Sequence, residues 1–180
     1  MKNNNSVLRM VLTLVVIAVV SAGAMSYVNK ITAPLIAQQD ELKLQNSLKE
    51  VIEAESFELV GEGVYKAIKG DETAGICVIN LSAGYGGDIK VMTGVDNNGK
   101  VTGVSILGHG ETAGLGANAT KEEFRAQYKG KTAEISVSKI KSTETEIKAL
   151  SGATITSNAV TKAVNEALGI ASQYIEGGDK

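Results

Sequence analysis

The stretch GICVINLSAGYGGDIKVMTGVDNNGKVTGVSILGHG, Gly75 to Gly110, decides what kind of fold this chain can make. Apolar side chains alternate with small or polar ones at a period of two, the spacing of a half-buried strand, and glycines break the runs. Asp96-Asn97-Asn98-Gly99 separates two such runs, and Asn and Gly tolerate positive φ, so a hairpin turn is expected there. The pattern predicts strands near 75–80, 88–95 and 100–107. Cys77 lies in the first of them and is the chain's one cysteine, which excludes an intrachain disulfide and an iron–sulfur cluster held by cysteines of this chain alone. Its place in an alternating run reads as a buried, inert thiol.

Downstream the period lengthens. Thr120-Lys121-Glu122-Glu123 has the form of a capping box, a hydroxyl at the N-cap with a glutamate three residues on, and Gly130 is placed to end the helix it would open. TAEISVSKI, residues 132–140, reads as one more strand. From about Asn158, Val160, Val164, Ala167, Leu168 and Ala171 fall on one face of a terminal helix, and residues 177–180 read as a flexible tail. The class is α+β: a small, mostly antiparallel sheet with helices packed against it.

Upstream, the nineteen residues from Met10 to Val28 carry no charge. As a helix they extend roughly 28 Å, close to the hydrocarbon thickness of a bilayer. Lys2 and Arg9 precede this span, so the positive-inside rule predicts a cytoplasmic N-terminus (residues 1–9) and an extracytoplasmic remainder, with Lys30 weakening the bias. A cleaved signal peptide is the competing reading, since Ala22-Gly23-Ala24 fits a small-x-small cleavage pattern. Residues 29–56 read as a helical stalk with apolar positions at 35, 36, 42, 44, 48, 51 and 52, and residues 57–176 as the folded domain.

The net charge of −2 and the lack of a basic cluster argue against nucleic acid as a partner. His/Cys clusters with ligand spacing are absent from the sequence, so no metal site is expected. Ser151 lacks the Gly-x-Ser-x-Gly elbow of a hydrolase nucleophile, and no residue is assigned a catalytic role. The hydroxyl-rich run LSGATITSNAV, Leu150 to Val160, stands at the mouth of the terminal helix. Thr156 or Ser157 can cap that helix, and the N–H groups and dipole at its start favour a phosphate. An ordinary capped loop would look the same.

Two motifs in order extend the reading. Ser151-Gly152-Ala153-Thr154 resembles the flavinylation motif of bacterial membrane flavoproteins, in which a dedicated transferase joins the phosphate of FMN to the threonine. The run from Gly84 to Gly116, ending His109-Gly110-Glu111-Thr112-Ala113-Gly114-Leu115-Gly116, resembles the other half of the same FMN-binding domain. Behind one apolar span, the two motifs resemble the RnfG family, the G component of the Rnf complex, which is an ion-pumping ferredoxin:NAD+ oxidoreductase. The C component of the sodium-translocating NADH:quinone reductase is a relative of that family. The resemblance implies an electron carrier in the cell membrane with no independent catalytic activity, whose partners are the other Rnf subunits, the transferase and the bilayer. It implies covalent FMN on Thr154, with Thr156 as second choice of acceptor. Ser151, Gly152, Ala153 and Ile155 would shape the phosphate pocket; His109, Glu111, Thr112, Gly114, Leu115 and Gly116 would line the flavin site, beside Gly84 to Gly87. Two positions depart from the family pattern: Ala113 stands where proline is usual, and Lys148 where the transferase motif has an acid. Another extracytoplasmic flavoprotein and a non-redox, pilin-like protein are the other classes this sequence admits.

Overall fold

A computed structural model describes residues 4–132 and 134–176; the tail expected at 177–180 lies outside them. Helix α1 runs from Asn4 to Val51 with Pro34 inside it. Five strands follow: β1 (Ser56–Gly61), β2 (Val64–Lys69), β3 (Glu72–Ala83), β4 (Asp88–Asp96) and β5 (Val101–Gly108). A 3-10 turn (Gly116–Thr120), the short α2 (Glu122–Arg125) and a second 3-10 turn (Ala126–Tyr128) lead to β6 (Ser136–Ser138) and β7 (Glu146–Lys148). Helix α3 spans Thr154–Glu176. The chain divides into two compact units, Met1–Leu42 and Lys43–Lys180. In the first, the described side chains are almost all exposed, and α1 is long and apolar enough to cross a membrane, with a mean hydropathy of 2.3 over its most apolar 18 residues.

In the second unit the strands form one antiparallel meander in the order β1-β2-β3-β4-β5. The alternation of Gly75–Gly110 explains both of its faces. Ile76, Val78, Val91, Val95 and Val104 point to α3, which lays Ala159, Val160, Ala163, Val164, Ala167 and Ala171 against them. Alanines at 159, 163, 167 and 171 recur every four residues, one helical face without bulk, so α3 lies close enough for Asn80 Nδ2 to reach the Ala163 carbonyl at 3.0 Å. Cys77 and Met92, on the other face, meet Leu48, Val51 and Ile52 at the end of α1. The core is therefore two apolar layers with the sheet between them.

The expected hairpin at Asp96–Lys100 is present: Asp96 Oδ1 accepts the N–H groups of Asn98 and Lys100 at 2.8 and 2.9 Å, and Gly99 has φ +73°. Three local expectations are corrected. Thr120 opens no helix; it ends a 3-10 turn and donates its hydroxyl back to the Ala117 carbonyl, while Lys121 precedes a single turn of α-helix with no side-chain cap. Helix α3 starts at Thr154, four residues before the periodic pattern is evident, because Thr156 and Ser157 lie inside its first turn rather than capping it. Of the described residues among 132–140 only 136–138 are strand, paired in parallel with β7. Asn165 of α3 takes up the backbone just before it, accepting from Ile135 N–H at 2.9 Å and donating to Ile135 C=O at 2.8 Å. The β1–β2 hairpin has no counterpart among the expected strands.

Candidate functional site

Three segments distant in sequence meet at one carboxylate. Glu111 follows β5 and is 8% exposed. Its Oε1 accepts the consecutive backbone N–H groups of Tyr85 and Gly86 at 2.8 and 2.9 Å, and its Oε2 accepts the Thr156 hydroxyl at 2.5 Å. Burial pushes its pKa up, but the Thr156 hydroxyl, the Gly86 and Tyr85 amides and the nearby His109 outweigh that and hold it below the usual carboxylate value. The glycines make the approach possible. A Cβ at Gly84 would strike Glu111 Oε1, one at Gly116 would strike both Glu111 Oε2 and Thr156 Oγ1, and one at Gly86 would strike the Gly110 carbonyl. The sheet-to-loop glycines seen in the sequence are thus the space around this carboxylate.

The start of α3 forms the opposite wall. Gly152, at φ +71°, turns the chain, and the Ala153 N–H bonds back to Leu150 C=O at 3.1 Å. Ser157 is fully buried: its hydroxyl donates to Ala153 C=O at 2.9 Å and accepts the Leu150 N–H at 3.0 Å, tying the turn to the helix it enters. Thr156 is 1% exposed and committed to Glu111. Thr154, half-buried as the first helical residue, keeps its hydroxyl without a hydrogen-bond partner among the described residues. The N–H groups of the first turn of a helix have no acceptor of their own within it.

Between these walls lies a cavity of about 460 Å³, bounded by Tyr85, Thr112 and Leu115 and by the run Gly152 to Thr156, with Glu111 and Gly116 at its base. Three apolar or aromatic side chains on it stand in solvent: Tyr85 at 73%, Ile155 at 55% and Leu115 at 45% exposure. Exposed apolar groups around a concave surface fit an aromatic ring, and an unbonded hydroxyl at a helix start fits a phosphate. Among the described residues no Lys or Arg lines the cavity, so an anion there would rest on backbone N–H groups and the helix dipole. Among the described residues no group of His, Cys, Asp and Glu is placed to hold a metal.

Of the twelve residues singled out from sequence, nine line this cavity: Glu111, Thr112, Leu115, Gly116, Gly152, Ala153, Thr154, Ile155 and Thr156. Ser151 lies on a neighbouring cleft, together with Lys148. His109 is exposed and its Nδ1 accepts the Glu111 N–H at 3.2 Å, so it braces the loop from outside. Gly114, at φ +78°, supplies a turn. Tyr85, the tenth liner, lies in the Gly84–Gly87 stretch expected beside the site but was not named itself. Lys148 keeps its backbone on Gln127 and its side chain in solvent, away from the cavity.

The chain is similar to known proteins in sequence and in fold. Residues 84–169 match the FMN-binding domain family and residues 1–51 match the RnfG N-terminal region. The chain is 41% identical to the G component of the proton-translocating ferredoxin:NAD(+) oxidoreductase complex of Clostridium ljungdahlii, over 93% of this chain and 92% of that one. It is 32% identical to the Na(+)-translocating counterpart of Acetobacterium woodii, over 88% of each. In fold it is similar to NqrC of Shewanella oneidensis (TM-score 0.55, 20% identity, 71% of this chain and 70% of that one). It is also similar to the C component of the Na(+)-translocating NADH-quinone reductase of Parabacteroides distasonis (TM-score 0.56, 22% identity, 73% and 81%). Those two likenesses speak for the fold, and the first two for the family. An apolar span, an FMN-binding domain and 41% identity along nearly the whole length together mean that this chain belongs to the RnfG family, the G components of Rnf-type ion-translocating ferredoxin:NAD(+) oxidoreductase complexes.

Proposed function

We propose that this protein is a membrane-anchored electron carrier that holds FMN between the 111–116 loop and the start of α3, joined through its phosphate to Thr154. The observation that carries the reading is the Thr154 hydroxyl: it lines the cavity, stands at the first position of α3, and has no partner among the described residues, whereas Thr156 and Ser157 are buried and engaged. FMN, when bound, supplies one- and two-electron chemistry; the protein supplies attachment, orientation and electrostatics. Leu115, Ile155 and Tyr85 would take the apolar ring, and the first-turn N–H groups with Thr154 would take the phosphate. Glu111 would stay ionised beneath them and keep the two walls together.

The membrane association of the family follows from α1, and we place the N-terminus in the cytoplasm on the strength of Lys2 and Arg9, with a single pass and an extracytoplasmic FMN domain. A covalent bond would keep FMN from diffusing away on that side, and the anchor would hold the carrier at high effective concentration beside its partners. Those partners are the other subunits of the complex, within which electrons would pass between ferredoxin and NAD+ coupled to Na+ or H+ transport, as the names of the relatives state for them. A flavin transferase would install the group.

The test is the intact mass of the full chain made together with a flavin transferase, paired with in-gel fluorescence of the denatured band. A gain of one FMN less one water, lost in Thr154→Ala, is expected. A chain left unmodified by a transferase active on another acceptor would overturn the covalent reading.

A further inference from the structure

The run Thr154-Ile155-Thr156-Ser157 offers three hydroxyls within four residues, two of them on the cavity itself, Thr154 and Thr156. Chemically they are alike, so something else must decide which reacts. Ser157 is consumed locally, by Ala153 C=O and Leu150 N–H. Thr156 is different: what occupies its hydroxyl is a carboxylate 45 residues earlier in the chain. That carboxylate is itself held by the Tyr85 and Gly86 amides, and Gly116 leaves room for the pair to close.

Resting on the reading above, we infer that Glu111 is a positioning residue that decides the site of flavin attachment: it withholds the Thr156 hydroxyl from the cavity and so leaves Thr154 as the acceptor. The reaction selected is a phosphoryl transfer. With a flavin dinucleotide as donor, the bond from Thr154 Oγ1 to the flavin-side phosphorus forms as the phosphoanhydride P–O bond breaks. The nucleoside monophosphate leaves with that electron pair, and the hydroxyl proton passes to solvent. Held on Glu111, Thr156 is 1% exposed, so its oxygen is not open to an incoming phosphorus, whereas Thr154 is half-buried and its hydroxyl has no partner among the described residues. Loss of a hydrogen bond to a charged group raises the free fraction of its partner by roughly tenfold or more, which sets the size of effect to look for.

The inference is tested by peptide mapping of the full chain after production with the transferase. Thr154→Ala is expected to carry no flavin. Adding Glu111→Ala or Glu111→Gln to Thr154→Ala is expected to bring flavin onto Thr156 in at least one of the two double variants, a gain that loosened folding does not produce. Flavin on Thr156 in the single Thr154→Ala variant, or none on Thr156 in both double variants, would overturn the role of Glu111. These outcomes are separate from the proposed function, which fails only if the unsubstituted chain carries no flavin at Thr154.

Discussion

Gly94 and Gly103 are partners across β4 and β5, and the Val51 carbonyl at the end of α1 lies over both. A Cβ at Gly94 would come within 2.6 Å of that oxygen, and one at Gly103 within 2.8 Å of Val51 Cα. Thr102, next along β5, donates its hydroxyl to the same carbonyl at 2.5 Å, satisfying one of the acceptors a helix leaves open at its C-terminus. Two glycines at one sheet position thus form a saddle for a helix end.

Gly103→Ala should therefore destabilise the domain by about 1–3 kcal/mol, the range for overpacking a tight site. A urea unfolding curve with the midpoint lowered at unchanged slope would bear this out. A midpoint equal to that of the unsubstituted chain would mean that α1 can lift off the sheet at no cost.

Glu111 should make stability depend on acid pH. Its pKa is below 4.5 in the folded chain, so between the two values the unfolded state binds the extra proton. The contribution is fully present above the ordinary value and is lost as pH falls through the depressed folded one. Glu111→Gln should be less stable at neutral pH, with the gap closing on acidification. Chemical denaturation followed down through that window checks the sign.

Arg125 should outweigh any exposed pair. Only 16% of its side chain is exposed, and it meets Glu50 Oε1 at 2.7 Å, Val104 C=O at 2.9 Å and Thr120 C=O at 2.9 Å. Lysine cannot span three acceptors with a rigid fork, so Arg125→Lys should cost about 1–2 kcal/mol. Lys69→Met removes only a solvent-exposed contact to Glu53 and should leave stability essentially unchanged. Thermal melts of the two variants side by side would test the contrast.

Cys77 should be silent towards thiol reagents. It is fully buried in the sheet, and burial pushes its thiol up to about 12. Iodoacetamide should leave the native protein unlabelled at neutral pH and modify it stoichiometrically in denaturant, read by mass. Rapid native labelling would show that the sheet opens locally.

Strands β3 to β5 were legible because Gly75–Gly110 alternates cleanly and the Asp96–Gly99 turn is dictated by neighbours two to four residues apart. The β1–β2 hairpin was not. In β1 the alternation is short, Phe57 and Leu59 about Glu58 with Gly61 and Gly63 just beyond, and Leu59 is 62% exposed, so pairing with β2 rather than local pattern defines the strand. The capping box at Thr120 misled for a related reason. A hydroxyl before Glu122 and Glu123 suits a helix start, but the chain there is held by Phe124 and Tyr128 in the core and by Arg125 on β5, which leaves one turn of α-helix between two 3-10 turns.

By itself, the sequence determined what local periodicity and composition can carry: an apolar helix, a glycine-broken antiparallel sheet, an alanine-faced terminal helix, and a hydroxyl-rich run before it. These depend on residues a few positions apart. Tertiary structure decided which hydroxyl is free. By hydroxyl chemistry Thr154, Thr156 and Ser157 are alike, and they differ because folding engages Ser157 with Ala153 C=O and Leu150 N–H and brings Glu111, 45 residues away, against Thr156. A carboxylate in water bonds to solvent; buried against two amides and a hydroxyl it must have those partners, and that requirement sorts the site.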